Sequence, residues 1–79
     1  YPNPTRDDFT LSFDNNKATS TNVYLTDITG KRMINVLSSV QLPIGLQKQR
    51  IGTESLKAGI YFIVLEQEGN RVVRKLIIQ

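Results

Sequence analysis

The sequence predicts an all-β domain, an immunoglobulin-like antiparallel β-sandwich of about seven short strands. Three observations predict it. Apolar residues recur at a spacing of two or in short unbroken runs, and no window keeps a helical period over about ten residues. Turn-forming residues divide these runs at modest intervals. The chain has 79 residues, which makes one domain over 1–79 and leaves no room for a second.

Tyr1-Pro2-Asn3-Pro4 opens the chain. Each proline fixes its own φ and pushes the residue before it toward extended geometry, so this is a stiff lead-in. In residues 8–13, Phe9, Leu11 and Phe13 share one face while Thr10 and Ser12 share the other, the pattern of a half-buried strand. Asp14-Asn15-Asn16-Lys17 is turn chemistry, and the polar residues up to Asn22 extend it into a loop. Residues 23–27 form a second strand with Val23 and Leu25 on one face and Tyr24 on the other. Thr29-Gly30-Lys31 reverses the chain, Gly30 supplying a positive φ. Residues 32–37 return as a third strand, completing a hairpin.

Residues 38–45 read as a loop around Pro43 and Gly45, within which Val40 and Leu42 make a short edge segment. Residues 46–51 are mostly polar and read as an edge strand whose charges discourage pairing with other chains. Residues 53–58 have room for one helical turn and no more. The stretch 59–79 organises everything before it. Two apolar runs, 60–65 and 72–78, flank a polar segment containing Gly69-Asn70, the pattern of a β-hairpin. The first run is apolar at every position, which places it inside a sheet. No helix is predicted to cover its second face. Either Ile60, Phe62 and Val64 or the alternate set Tyr61, Ile63 and Leu65 therefore faces outward, and a contiguous apolar patch there marks a contact surface. The second run mixes Arg71, Arg74 and Lys75 with aliphatics up to Ile78, so these last residues are expected to belong to the fold.

The residue inventory offers little chemistry. Without cysteine there is neither a disulfide nor a thiolate, and without histidine the commonest general base and metal ligand is missing. Lys+Arg 10 against Asp+Glu 7 leaves a net charge of +3, too small and too scattered to argue for nucleic acid. No apolar run reaches the roughly eighteen residues of a membrane span, and the N-terminus lacks a charged-then-apolar export signal. Asp7 and Asp8 point to opposite sides if both are extended; Glu66 and Glu68 share a side and read as a solvated hairpin tip. Ser38, Ser39 and Ser55 have no histidine to activate them. Thr29-Gly30-Lys31 lacks the first glycine of a phosphate loop. The expectation is a domain that is not an enzyme and takes no cofactor or metal.

Four motifs occur in a fixed order: Tyr1-Pro2-Asn3-Pro4, the Asp27-x-x-Gly30-Lys31 turn, the run Leu56-Lys57-Ala58-Gly59-Ile60-Tyr61, and the basic-then-aliphatic ending Lys75-Leu76-Ile77-Ile78. Together, and end to end, the chain resembles the type A C-terminal sorting domain of proteins exported by the type IX secretion system of certain Gram-negative bacteria. The resemblance implies an immunoglobulin-like sandwich at the end of a larger cargo protein. It implies that the outer-membrane secretion machinery reads the domain once the cargo has reached the periplasm and passes the cargo to the cell surface or medium. It further implies that a surface sortase of the cysteine-protease type, as is typical of the family, then removes the domain at an upstream site and joins the cargo to an anionic lipopolysaccharide.

Carried over by position, Pro2, Asn3 and Pro4 set the lead-in, Asp27 and Gly30 the hairpin turn, and Gly59 with Tyr61 the start of the central strand. Val72, Val73, Arg74, Lys75, Leu76, Ile77, Ile78 and Gln79 carry over as the element the machinery recognises. The ending in Gln79 departs from the basic or aliphatic residue of many members. Pairing of the last strand between two copies is a further expectation. The rival from a different class is a carbohydrate-binding or adhesion sandwich, motivated by Tyr1, Tyr24 and Tyr61 and by the apolar face.

Overall fold

A computed structural model describes residues 8–79, which form six strands and no helix: β1 (Asp8–Asn15), β2 (Thr19–Thr26), β3 (Arg32–Leu42), β4 (Gly45–Gly52), β5 (Gly59–Gln67) and β6 (Asn70–Ile78). They build two antiparallel sheets, β1-β4 and β3-β2-β5-β6, so the all-β sandwich follows the expectation. The lead-in Pro2, Asn3 and Pro4 lies outside the described residues. β5 sits between β2 and β6, as its unbroken apolar run requires.

Alternation along each strand selects the core. Phe9 and Leu11 of β1 and Ile51 of β4 pack against Val23 and Leu25 of β2, Tyr61 and Ile63 of β5, and Leu76 and Ile78 of β6. Each such side chain contributes roughly 1.5–3 kcal/mol when fully buried, which is how a domain this small offsets its chain entropy.

The strand count is six among the described residues because the expected loop 38–42 continues β3. Thr21 pairs with Val40 and Val23 with Leu37, so Ser38 and Ser39 together stand opposite Asn22. That is a β-bulge. Ser39 adopts a φ of 52°, and its amide donates to Asn22 Oδ1 at 2.7 Å, so the bulge keeps its hydrogen bond. Pairing therefore runs on through a segment whose serines read as a loop.

β2 likewise starts at Thr19, where polarity predicted a loop as far as Asn22. Thr19 and Thr21 are buried, and the Thr21 hydroxyl finds its partners inside. Thr21 Oγ1 donates to the Thr19 carbonyl at 3.3 Å and accepts from Gln67 Nε2 at 3.0 Å. Asn15, expected in a turn, ends β1 and is buried. Its Nδ2 donates to the Leu42 and Pro43 carbonyls at 3.2 and 2.7 Å, and its Oδ1 accepts from Gln67 Nε2 at 2.8 Å. This knot ties β1, β3 and β5 together at one end of the sandwich.

The other end closes at the start of β5. Leu56 N–H donates to the Thr53 carbonyl at 3.0 Å, so residues 53–56 make a β-turn in place of the helical turn expected over 53–58. The Tyr61 ring lies in the core while its hydroxyl donates to the Lys57 carbonyl at 2.7 Å. A tyrosine bonded back to the backbone a few residues upstream is the corner found before a central strand of immunoglobulin-like sandwiches.

Candidate recognition surface

The register of the terminal hairpin decides which way its side chains face. Tyr61 pairs with Leu76, and both are buried; the intervening pairs Ile60 with Ile77, Phe62 with Lys75 and Val64 with Val73 lie on the opposite side. Of the two sets left open by the sequence, Ile60, Phe62 and Val64 therefore face outward.

The last strand thus divides into two halves with different work. Leu76 is 0 % exposed and Ile78 3 %, so both belong to the core. Val72 and Val73 are 40 % and 43 % exposed, and Arg71, Arg74, Lys75 and Gln79 are also exposed. Ile77 is half-buried on the outer face. Val72, Arg74, Leu76 and Ile78 alternate onto the inner side, where Val72 and Arg74 border a cleft with Leu11, Phe13, Ile63 and Leu65. Val73, Lys75 and Ile77 join Ile60 and Phe62 in an outward apolar strip that also carries a cation.

A chain of side chains crosses this outer face, one from each strand. The Arg32 guanidinium of β3 stacks 3.8 Å from the centre of the Tyr24 ring of β2. The Tyr24 hydroxyl donates to Glu66 Oε2 of β5 at 3.0 Å, and Arg71 Nε of β6 lies 3.9 Å from the same oxygen. Sequence reasoning placed Glu66 at a solvated tip and gave Arg32 no role. The signal was available: counting back from the hairpin turn pairs Glu66 with Arg71. Glu68 points elsewhere and pairs with Lys17 at 2.9 Å. Among the described residues no three carboxylates or other metal-binding side chains converge.

The motif residues are structural in detail. Asp27 Oδ1 accepts from the Thr29 amide at 2.9 Å, the Thr29 hydroxyl at 2.6 Å and the Lys31 amide at 3.0 Å. The Thr29 hydroxyl bond is the largest of several effects that hold this carboxyl below its ordinary value, the two amides and the Lys31 charge adding to it against some desolvation. Gly30 sits at φ 92°, open to side chains in space but not in backbone conformation. Its amide donates to the Asp27 carbonyl at 3.1 Å, and the Asp27 amide donates to the Lys31 carbonyl at 3.0 Å. The Asp27-x-x-Gly30-Lys31 spacing is thus the spacing of one closed turn.

The four-motif order, the tyrosine corner and the two-sided last strand can now be set beside known families. A profile described as "Secretion system C-terminal sorting domain" matches residues 1–79, the whole chain. The chain belongs to the type IX secretion C-terminal sorting domain family. No curated protein matches the sequence significantly. A sorting domain of this family is a signal: it directs export through the type IX system to the cell surface or outside, and its work is contact with the secretion machinery. No helix among the described residues is long and apolar enough to cross a membrane.

Proposed function

We propose that this sorting domain is read in the periplasm by the outer-membrane type IX machinery, is cut from its cargo at an upstream site by a surface sortase, and performs no catalysis of its own. The observation that supports this reading most is the division of the terminal strand. Leu76 and Ile78 anchor it in the core, while Val73 and Lys75 are displayed on the outer face of the sheet. A signal must be folded to be specific and exposed to be read, and this strand meets both conditions at adjacent positions. Of the strand expected to carry recognition, Val72, Val73, Arg74, Lys75 and Gln79 are the displayed part. Leu76 and Ile78 act by holding that part in place.

The test is a fluorescent reporter joined to residues 1–79 through the parent protein's own preceding segment, so that the upstream site is included, and expressed in cells with an active type IX system. Intact-mass measurement of the reporter recovered from the surface or medium reports its end. The expected product lacks the domain, and cells without the sortase yield the full-length fusion. Full-length fusion at the surface of sortase-proficient cells would overturn the removal step. A steady turnover of any substrate by the purified domain would overturn the claim that it is not an enzyme.

A further inference from the structure

A two-stranded sheet cannot cover the whole inner side of a four-stranded one. Where the cover of β1 ends above β6, a cleft of about 180 Å³ opens between the sheets. Leu11 and Phe13 of β1, Ile63 and Leu65 of β5, and Val72 and Arg74 of β6 line it. Leu11 and Ile63 are buried, Phe13 and Leu65 half-buried and Val72 exposed, so the cleft runs from the core out to solvent. Its charge is one-sided. Arg74 stands at the mouth, no carboxylate lines the cleft, and Ser12 is its other polar residue. Arg74 makes no ion pair among the described residues, and its one hydrogen bond there, from Nη1 to the Val73 carbonyl at 3.0 Å, leaves most of the guanidinium's N–H groups to spare. The clefts at the hairpin tip and at the β2–β3 turn differ, since each sets an acid beside Arg71.

We propose that this cleft binds a short-chain alkyl carboxylate, with its tail against Phe13, Leu65 and Val72 and its carboxylate on Arg74. The site goes beyond the sorting reading and does not depend on it. Size and charge select the ligand. The volume is below the roughly 300 Å³ of a drug-sized site, so a slender tail fits and a bulky ring system does not. A folded partner needs roughly 1,000 Å² of buried surface, far more than these few side chains offer. An alkyl cation would be repelled by Arg74, and a neutral alkane would gain nothing from it. A planar guanidinium instead matches a carboxylate through two parallel hydrogen bonds. A ligand held there covers Val72 and Arg74 and leaves Val73 and Lys75 on display, because these lie on the opposite face of the sheet.

The experiment is a nuclear magnetic resonance titration of the labelled 79-residue chain with octanoate, kept below its micelle-forming concentration, and with octyltrimethylammonium. Octanoate is expected to shift the amides of Leu11, Phe13, Leu65 and Val72 to a plateau, and the ammonium compound to bind several-fold more weakly. Arg74→Gln should weaken octanoate about threefold to fivefold, the size of one exposed charge pair, whereas Arg74→Lys should keep most of the binding. Val72→Phe, which fills the mouth of the cleft, should remove it. Both positions are exposed, so thermal melts of these variants should match the parent. If Arg74→Gln melts lower, the comparison of the two octyl compounds on the parent chain still decides. Equal binding of both compounds, undiminished binding by a folded Arg74→Gln variant, or shifts centred on Phe62 and Val73 would overturn the proposal. So would preferential uptake by phosphatidylglycerol vesicles, tighter binding of a capped leucine–aspartate peptide, or a dimer by light scattering that covers the same residues.

Discussion

Replacing Leu76 by alanine and, separately, Val73 by alanine distinguishes anchoring from display within one strand. Leu76 is 0 % exposed, packed with Tyr61, Ile63 and Ile78 in the core. Deleting its branched end removes transfer energy and leaves a cavity, and Leu→Ala changes at such sites cost about 2–5 kcal/mol. The whole domain has about 5–15 kcal/mol to lose, and a small one sits near the bottom of that range. Val73 is 43 % exposed on the outer face, so its truncation should cost only about 0.5 kcal/mol. The assay is urea unfolding followed by far-ultraviolet circular dichroism and tyrosine fluorescence. With a slope near 1 kcal/mol per molar for a chain of this size, Leu76→Ala should lower the midpoint by about 2 M or more. Val73→Ala should lower it by about 0.5 M. Equal shifts for the two variants, or a Leu76→Ala shift below about 0.5 M, would refute the division of the strand into core and display halves.

Tyr61→Phe removes the hydroxyl bonded to the Lys57 carbonyl and should destabilise the domain by about 0.5–1.5 kcal/mol, seen in the same urea titration. Asn15→Ala strips the Leu42 and Pro43 carbonyls and Gln67 of their shared partner, and a loss of about 1–3 kcal/mol is expected. Gly30→Ala meets no atom within 4 Å but strains a backbone held at φ 92°, so a loss of about 1 kcal/mol or more is expected from backbone conformation alone. The Asp27 carboxyl is held below its ordinary value of 3.8, so it stabilises the turn fully above that pH. That contribution disappears as pH falls through the lower folded value. Carboxyl-carbon titration should place the Asp27 midpoint below 3.8, and Asp27→Asn should abolish this part of the acid response.

Local chemistry made much of the fold legible. The turn at Gly30, the alternation of Phe9 and Leu11, and the interior position of β5 each follow from short-range pattern, and each appears where expected. The departures have two causes. Asn15, Thr19 and Thr21 are polar and read as loop, yet they are buried, whereas Ser38 and Ser39 are exposed and belong to β3 because the bulge opposite Asn22 carries the pairing through them. Burial of a polar side chain depends on a partner distant in sequence, and Gln67 or the Leu42 and Pro43 carbonyls cannot be seen from residue 15. The candidate site shows the same limit. The apolar run 60–65 announced an outward patch, but which alternate set faced outward depended on whether Tyr61 or Phe62 turned into the core. The Lys57 carbonyl bond to Tyr61 belongs to that choice. The Arg32–Tyr24–Glu66–Arg71 chain needed the order of four strands, which no local pattern contains.

The most direct measurement of the central claim is export of a reporter fused to residues 1–79, compared between cells with and without a working type IX apparatus. A fusion lacking residues 71–79, which removes the core side chains Leu76 and Ile78 together with a ladder partner of β5, serves as the unfolded control. The account predicts that the parent fusion leaves the cell only where the apparatus works, and that the truncated fusion stays behind in both. Equal release from both kinds of cell, or retention of a folded parent fusion in competent cells, would contradict it.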